Sequence, residues 1–239
     1  MELIFGRHPL TEALKAKKRT IRKLWVLTGL EGEGVHDILH EAKQRGIPIE
    51  WTSRDHLTRL CRGNHQGFVA QAETTHYQDF ESFLKNLESK RALLVAFDEI
   101  QDPQNVGAIL RSAGFFGVDA AIMPKWRNAP IAEGAQRASS GAMEHINLIQ
   151  VVNIVQTIDT AKEAGFEVIG AEMEGQAIWK YERPDRVLLV LGSEGKGLRR
   201  LVREHCDQLI SIPRQGPLDS LNVSAAAAIL LYELVRPSS

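Results

Sequence analysis

Residues 187–200 read VLLVLGSEGKGLRR, and this stretch decides the fold. A fully apolar run suits a strand buried on both faces. Three glycines then fall within six residues, at 192, 195 and 197. Glycine permits tight turns and close backbone approach, which points to a ligand held at the strand's end. The spacing is neither a phosphate loop ending in Lys-Ser/Thr nor the dinucleotide pattern G-x-G-x-x-G. Glu194 in the turn would repel phosphates, so a neutral or cationic ligand fits better. A plain glycine-rich turn without a ligand is the competing reading of this piece alone.

Outward from this stretch, further apolar runs predict strands at 92–97, 119–124, 146–151, 166–172, 186–192 and 208–213. Helical periodicity fills the gaps at 105–116, 131–138, 153–164, 198–204 and 222–236. Alternation of this kind predicts an α/β fold, a parallel sheet covered on both faces. Ligands in such sheets sit beyond the carboxyl ends of the strands. The segments that follow strands therefore carry the argument.

One is DEIQDPQNVGAILRSAGFFGVD, residues 98–119. Pro103 and Asn105 open a helix whose apolar stripe is Val106, Ile109, Leu110 and Ala113. Between Asp102 and Asp119 the only charge is Arg111. Gly107, Gly114 and Gly117 each cost about 1 kcal/mol against alanine in a helix, which argues for close approach of another backbone. An ordinary helix with one solvated arginine fits the same residues. The other segment is LISIPRQGPLDSLNVSAAAAILLYELV, residues 209–235. Asn222 or Ser224 can cap its apolar helix, and Ser220 to Ser224 are more polar than a cap requires. A well-capped terminal helix is again the simpler alternative.

The first 75 residues differ in character. They carry 12 Lys+Arg against 9 Asp+Glu, and five of the eight histidines; the remainder carries 17 against 21. Short helices and strands alternate: a helix within 8–17, strands at 23–27, 47–51 and 67–72, a helix over 35–46 stopped at Gly46, and a helix capped by Ser53. A polar stretch and an amphipathic helix follow, which sets the expected boundaries at 1–74, a linker and connecting helix over 75–89, and 90–239. Two cysteines exclude a disulfide framework and a cysteine-based zinc cluster, and no metal-ligand cluster is visible. No apolar run approaches the roughly 20 residues of a membrane span. The opening MELIFGRHPL is not a secretory signal, so the expectation is a cytoplasmic protein without membrane partners.

Taken together and in order, the three segments resemble the motifs of the SpoU (TrmH) branch of the SPOUT RNA methyltransferases. Asn105, Gly107 and Arg111 match N-x-G-x-x-x-R. Gly192, Glu194 and Gly197 match G-x-E-x-x-G. Ile212, Pro213, Gly216 and Ser220 to Ser224 match I-P-x-x-G followed by S-L-N-V-S. The opening IFGRHPLTEAL and the strand HQGFVAQA resemble the L30e-like substrate-binding domain of some members. Arg214 is a departure, since the family usually carries methionine after Ile-Pro.

The resemblance implies a SPOUT-type trefoil-knotted catalytic domain preceded by the small L30e-like domain. It implies a homodimer and S-adenosyl-L-methionine as cofactor, held by the backbones of Gly192, Ile212 and Leu221. The implied reaction is 2′-O-methylation of a guanosine in the peptidyl-transferase region of large-subunit ribosomal RNA. Arg111 is the residue expected at the acceptor, with Asn105, Glu194, Ser220 and Asn222 shaping the site. Arg7, His8, Lys17, Lys18, Arg19, Arg22 and Lys23 would grip RNA phosphates. A tRNA ribose methyltransferase, a non-catalytic RNA-binding protein on the same fold and, from the glycine turn alone, a nicotinamide-dependent oxidoreductase are the alternatives. Methyl transfer to an identified RNA, cofactor binding without transfer, and NAD titration discriminate them.

Overall fold

The computed structural model describes residues 1–61, 63–126, 135 and 138–237. The helix expected over 131–138 lies outside these residues except at 135 and 138. The chain divides into two compact units.

The first unit is Met1–His76 together with Ser140–His145. Its elements are β1 (Glu2–Phe5), α1 (Arg7–Ala16), β2 (Ile21–Leu27), α2 (Val35–Gln44), β3 (Ile49–Thr52), α3 (Arg54–Leu60) and β4 (Phe68–Ala72). The sheet order is β1-β4-β2-β3, with β4 antiparallel to both neighbours and β2 parallel to β3. Alternation in the strands sends side chains to both faces. Leu24 and Val26 meet Leu10, Leu14 and Ile38 of α1 and α2, whereas Trp25 packs with Leu57 and Cys61 around α3. Gly46 ends α2 with φ +63°, as its position predicts, and Ile47 N–H closes on the Ala42 carbonyl at 2.9 Å. Sequence reading overlooked β1, because four residues hold too little periodicity to identify a strand.

The second unit is Tyr77–Ser139 and Ile146–Ser239. It contains α4 (Phe80–Lys85), β5 (Ala92–Asp98), α5 (Pro103–Phe115), β6 (Ala120–Pro124), β7 (Asn147–Val151), α6 (Ile154–Glu163), β8 (Glu167–Ala177), β9 (Arg186–Gly192), α7 (Arg200–His205), β10 (Gln208–Ser211) and α8 (Val223–Val235). Six strands form one sheet in the order β10-β8-β9-β5-β6-β7, and every pairing is parallel. All seven residues of β5 are buried, as a central strand requires. Leu94, Ala96, Leu188 and Val190 face a core that includes Phe80, Ile154, Ile158 and Val202. Helix α8 packs against α5 and β9.

Strand β8 is longer than expected, reaching Ala177 rather than 172. Its pairing with β10 jumps from Leu209–Gly170 to Ile210–Gln176, so residues 171–175 bow out of the ladder. A Cβ at Gly175 would lie 2.5 Å from the Leu209 carbonyl carbon, which explains glycine there.

Candidate active site

Strand β5 ends at Asp98, whose register partner on β9 is Gly192. The loops after these two strands and after β10 carry the three sequence motifs. Helix α5 begins two residues before the expected position: Asp102 is its N-cap, accepting from Gln104 N–H at 2.9 Å, and Pro103 takes the first turn. Proline suits that place because its missing N–H would be unpaired there in any case.

Asn105 on the first turn of α5 is buried. Its Nδ2 donates to the Glu194 carboxylate and, at 3.4 Å, to Asp102 Oδ2. Its Oδ1 accepts from Asn222 Nδ2 at 3.0 Å. Asn222 in turn caps α8, its Oδ1 accepting from Ser224 N–H at 2.8 Å and from Ser224 Oγ at 2.6 Å. One side chain thus joins the α5 N-terminus, the turn after β9 and the loop after β10.

The glycine turn closes on itself. Ser193 and Gly197 exchange N–H···O bonds of 3.1 and 3.0 Å. A Cβ at Gly192 would sit 2.2 Å from the Gly197 carbonyl carbon, so no other residue fits. Gly195 and Gly197 have φ of +78° and +64°. Leu198 N–H donates to Glu172 Oε1 at 3.1 Å, and Arg199 N–H and Nε donate to Asp98 at 2.8 and 2.6 Å.

Gly107 explains its helix cost. A Cβ there would meet Ala138 Cβ at 2.4 Å and the Ala135 carbonyl oxygen at 2.5 Å. Gly117 corrects the expectation of a close approach: it follows the C-cap Phe116 with φ +72° and faces open space, so its role is to end the helix.

Asn105, Glu194 and Asn222 therefore come together. Arg111 stands six residues further along α5, about 9 Å of helix rise, on an exposed side. Ile212 is half-buried, while Ser220 and Leu221 lie in the exposed loop leading to Asn222. Arg214, the departure from the family pattern, is exposed and pairs with Asp219 at 2.8 Å. Sequence reading missed Asp98, Glu172 and Arg199. A carboxylate ending an apolar strand was the available signal for Asp98; Glu172 gave none.

In the first unit, Arg7 donates its guanidinium to the Glu33 carbonyl at 3.0 Å and its backbone N–H to Gln66 Oε1 at 2.9 Å. His8, Lys17, Lys18 and Arg22 are exposed and Lys23 half-buried. Arg22 pairs with Glu73; Lys23 pairs with Glu50 at 2.6 Å and lies 5.0 Å from the Trp25 ring centre. Arg19 is a correction. Its side chain is 6% exposed and donates to Glu144, to Glu2 at 2.8 Å and to Thr75 Oγ1 at 3.1 Å. The guanidinium is turned inward onto these partners and not toward solvent, where a phosphate would lie.

Among the described residues, no group of three or more His, Cys, Asp or Glu side chains stands where it could hold a metal ion, and no helix is long and apolar enough to cross a membrane. The arrangement presents main-chain groups and carboxylates, Glu194 among them, around strand ends. That set suits a neutral or cationic ligand.

These features define an α/β protein with a parallel sheet and a ligand site at its strand ends, and comparison with known proteins names its family. Residues 92–232 match the SpoU rRNA Methylase family, and residues 3–78 match the RNA 2'-O ribose methyltransferase substrate binding domain. The chain belongs to the SpoU (TrmH) family and is an RNA methyltransferase. A TrmH family tRNA/rRNA methyltransferase of Staphylococcus haemolyticus is 37% identical over 237 residues, 98% of this chain and 95% of the relative. A Staphylococcus aureus homologue of the same description is 38% identical over the same shares. The SpoU methyltransferase AviRb of Streptomyces viridochromogenes, solved with AdoMet, superimposes with a TM-score of 0.79 at 25% identity, covering 98% of this chain and 88% of that one. An AdoMet-bound rRNA methyltransferase of Sinorhizobium meliloti shares the fold, with a TM-score of 0.81 at 23% identity over 98% and 86% of the two chains.

Proposed function

We propose that this enzyme transfers a methyl group from S-adenosyl-L-methionine to the 2′-oxygen of a guanosine ribose in large-subunit ribosomal RNA. The observation that carries the reading is the Asn105 junction, where Glu194 and Asn222 bond to one side chain. Three motifs far apart in sequence thereby form one site, two of them following the neighbouring strands β5 and β9 and the third following the edge strand β10.

The donor fits the residues present. The Gly192–Gly197 contact leaves no room for side chains and turns the loop's main chain into the binding surface. The backbones of Gly192, Ile212 and Leu221 would hold the donor, and Glu194 would supply negative charge suited to a cation. When bound, S-adenosyl-L-methionine supplies an electrophilic methyl on a positively charged sulfur. The chain must then hold the acceptor hydroxyl in line and ease its deprotonation. Arg111 positions the ribose and its phosphate by charge and stabilises the oxygen as its proton leaves to a phosphate oxygen or to water; a guanidinium serves here as an electrostatic partner and not as the base. Asn105 has both ends of its amide engaged and shapes the site rather than touching the acceptor. Ser220 and Asn222 orient the acceptor side of the loop.

Residues 1–74 act as the L30e-like RNA-binding domain, 75–89 connect, and 90–239, apart from the Ser140–His145 segment that belongs to the first unit, form the knotted methyltransferase domain. Arg7, His8, Lys17, Lys18, Arg22 and Lys23 contact phosphates; surface ion pairs such as Arg22–Glu73 are weak enough to exchange for RNA. The family resemblance supports a trefoil knot built from the second and third motif loops. The packing of α8 back against β9, while β10 sits at the sheet edge, is consistent with such threading. A homodimer covers the apolar face of α5 and α8. Phe115 is 84% and Tyr232 53% exposed there, with Phe116 6.2 Å from the Tyr232 ring, and a helix apolar all round is normally buried. The compartment is the cytoplasm.

The deciding experiment is methyl transfer from labelled S-adenosyl-L-methionine to rRNA and tRNA pools of cells lacking the protein, with 2′-O-methyl mapping. Label at one guanosine of large-subunit rRNA supports the proposal. Label in tRNA keeps the enzyme and replaces the substrate. Cofactor binding without label in either pool favours a binding-only role.

A further inference from the structure

Strand β9 lies between β5 and β8 in the sheet, and each neighbour sends one carboxylate to the end of the loop that follows β9. From β5, Asp98 is fully buried beside Gly192. Its two oxygens take Arg199 N–H at 2.8 Å and Arg199 Nε at 2.6 Å. From β8, Glu172 takes Leu198 N–H at 3.1 Å. Glu172 lies two residues beyond the last β8–β9 pair, Gly170–Val190, in the segment that bows out of the ladder. Two consecutive main-chain N–H groups, at 198 and 199, are thus held by carboxylates from opposite sides of the strand.

Further features point to a constraint on shape. Glu99, directly after Asp98, has φ +60°, a conformation costly for a non-glycine residue and one that persists only where surroundings enforce it. Its carboxylate lies 3.5 Å from Arg199 Nη1. A Cβ at Gly197 would stand 3.0 Å from Glu172 Oε1, so glycine lets the carboxylate approach. Burying Asp98 brings little net stability, because a buried ion pair gains about as much as its desolvation costs. What the arrangement does supply is a single loop geometry.

We infer that Asp98 and Glu172 are positioning residues for the methyl donor, clamping the 193–199 loop in its receiving shape before the donor arrives. The inference rests on the donor-site reading above. A loop ordered in advance spares the ordering cost on binding. Loss of the clamp therefore appears chiefly in donor affinity, through a loop that opens when empty.

The test uses the full chain with Asp98→Asn and Glu172→Gln, each close in shape to the original. Calorimetric titration with S-adenosyl-L-methionine and hydrogen exchange of the 193–198 amides, measured without donor, give two independent readouts. Each variant is expected to raise the donor Kd about tenfold, the scale of losing a charged hydrogen bond, and to speed loop exchange. In turnover the KM for donor rises more than kcat falls, and the KM for RNA stays put. Unchanged Kd and unchanged exchange in both variants overturn the clamp. If Asp98→Asn fails to fold, Glu172→Gln decides alone. A wild-type chain that binds no S-adenosyl-L-methionine overturns the donor reading instead; the exchange data then still decide whether the carboxylates hold the loop.

Discussion

Asn222 donates its side-chain amide to Asn105 at 3.0 Å across 117 residues of chain. Asn105 uses its own amide on Glu194, so removing it cuts two connections at once. Asn105→Ala is expected to lower methyl transfer about 100-fold, the scale of a small misplacement of reacting groups. Steady-state kinetics with saturating donor check this. Turnover within threefold of wild type would remove the junction from the mechanism.

Arg111 is the residue assigned to the acceptor. Arg111→Ala should abolish turnover while leaving donor affinity within about twofold, since the donor loops are held by other residues. Arg111→Lys retains charge but loses the planar fork and should recover only part of the rate. Calorimetry beside a labelled-methyl assay separates the two effects. An active alanine variant would rule the arginine out.

Gly107 has no room for a side chain. Gly107→Ala drives a methyl into Ala138 and the Ala135 carbonyl at about 2.5 Å. Overpacking of this kind costs roughly 1–3 kcal/mol, and better helix propensity returns about 1. The expected result is a melting temperature lower by a few degrees. A raised melting temperature would mean that the facing segment shifts freely.

The Arg19–Glu144 pair is almost fully buried, with side chains 6% and 8% exposed. Glu144→Ala strands a buried guanidinium, a loss of about 3–5 kcal/mol, reduced here because Glu2 remains as a partner. The paired change Arg19→Met with Glu144→Leu should recover much of that loss in urea melts. RNA affinity of the double variant should match wild type, because Arg19 does not face solvent. A selective loss of RNA binding would restore Arg19 to the interface.

His65 is buried, and its Nδ1 accepts from Gly67 N–H at 3.0 Å. Burial first, and the Arg54 charge second, hold its pKa below the ordinary histidine value. The unfolded chain therefore binds a proton that the folded chain refuses. The stability this group contributes is complete above pH about 6.5 and is lost as pH falls toward the lowered folded value. Wild type should lose more stability between pH 7.5 and 5.5 than His65→Asn, in which the titrating group is absent. Equal losses would show that His65 does not titrate in this range.

Much of the architecture is legible in the chain because local rules carry it. The all-buried runs at 92–97 and 187–192 identify central parallel strands, since only a strand covered on both faces is apolar throughout. Gly46 ends its helix where it stands, because a left-handed cap needs no partner elsewhere. The pairing of motifs also belongs to the sequence, in residue types and order at Asn105, Glu194 and Asn222. The four-residue β1 and the long arm of β8 escape such reading. Their stability comes from ladder partners far away in the chain, Phe68–Ala72 for β1 and Gln208–Ser211 for β8.

Only the tertiary structure decided which charged residues face inward. Lys17, Lys18, Arg19, Arg22 and Lys23 form one basic cluster in sequence, yet Arg19 alone is buried, because Glu144, 125 residues away, folds against it. Asp98 and Glu172 read as ordinary acids until β5 and β8 flank β9 and bring both to Leu198 and Arg199. Charge type is written in a single residue. Whether that charge meets water, a phosphate or a buried partner depends on desolvation and on contacts between distant segments, which exist only once the chain has folded.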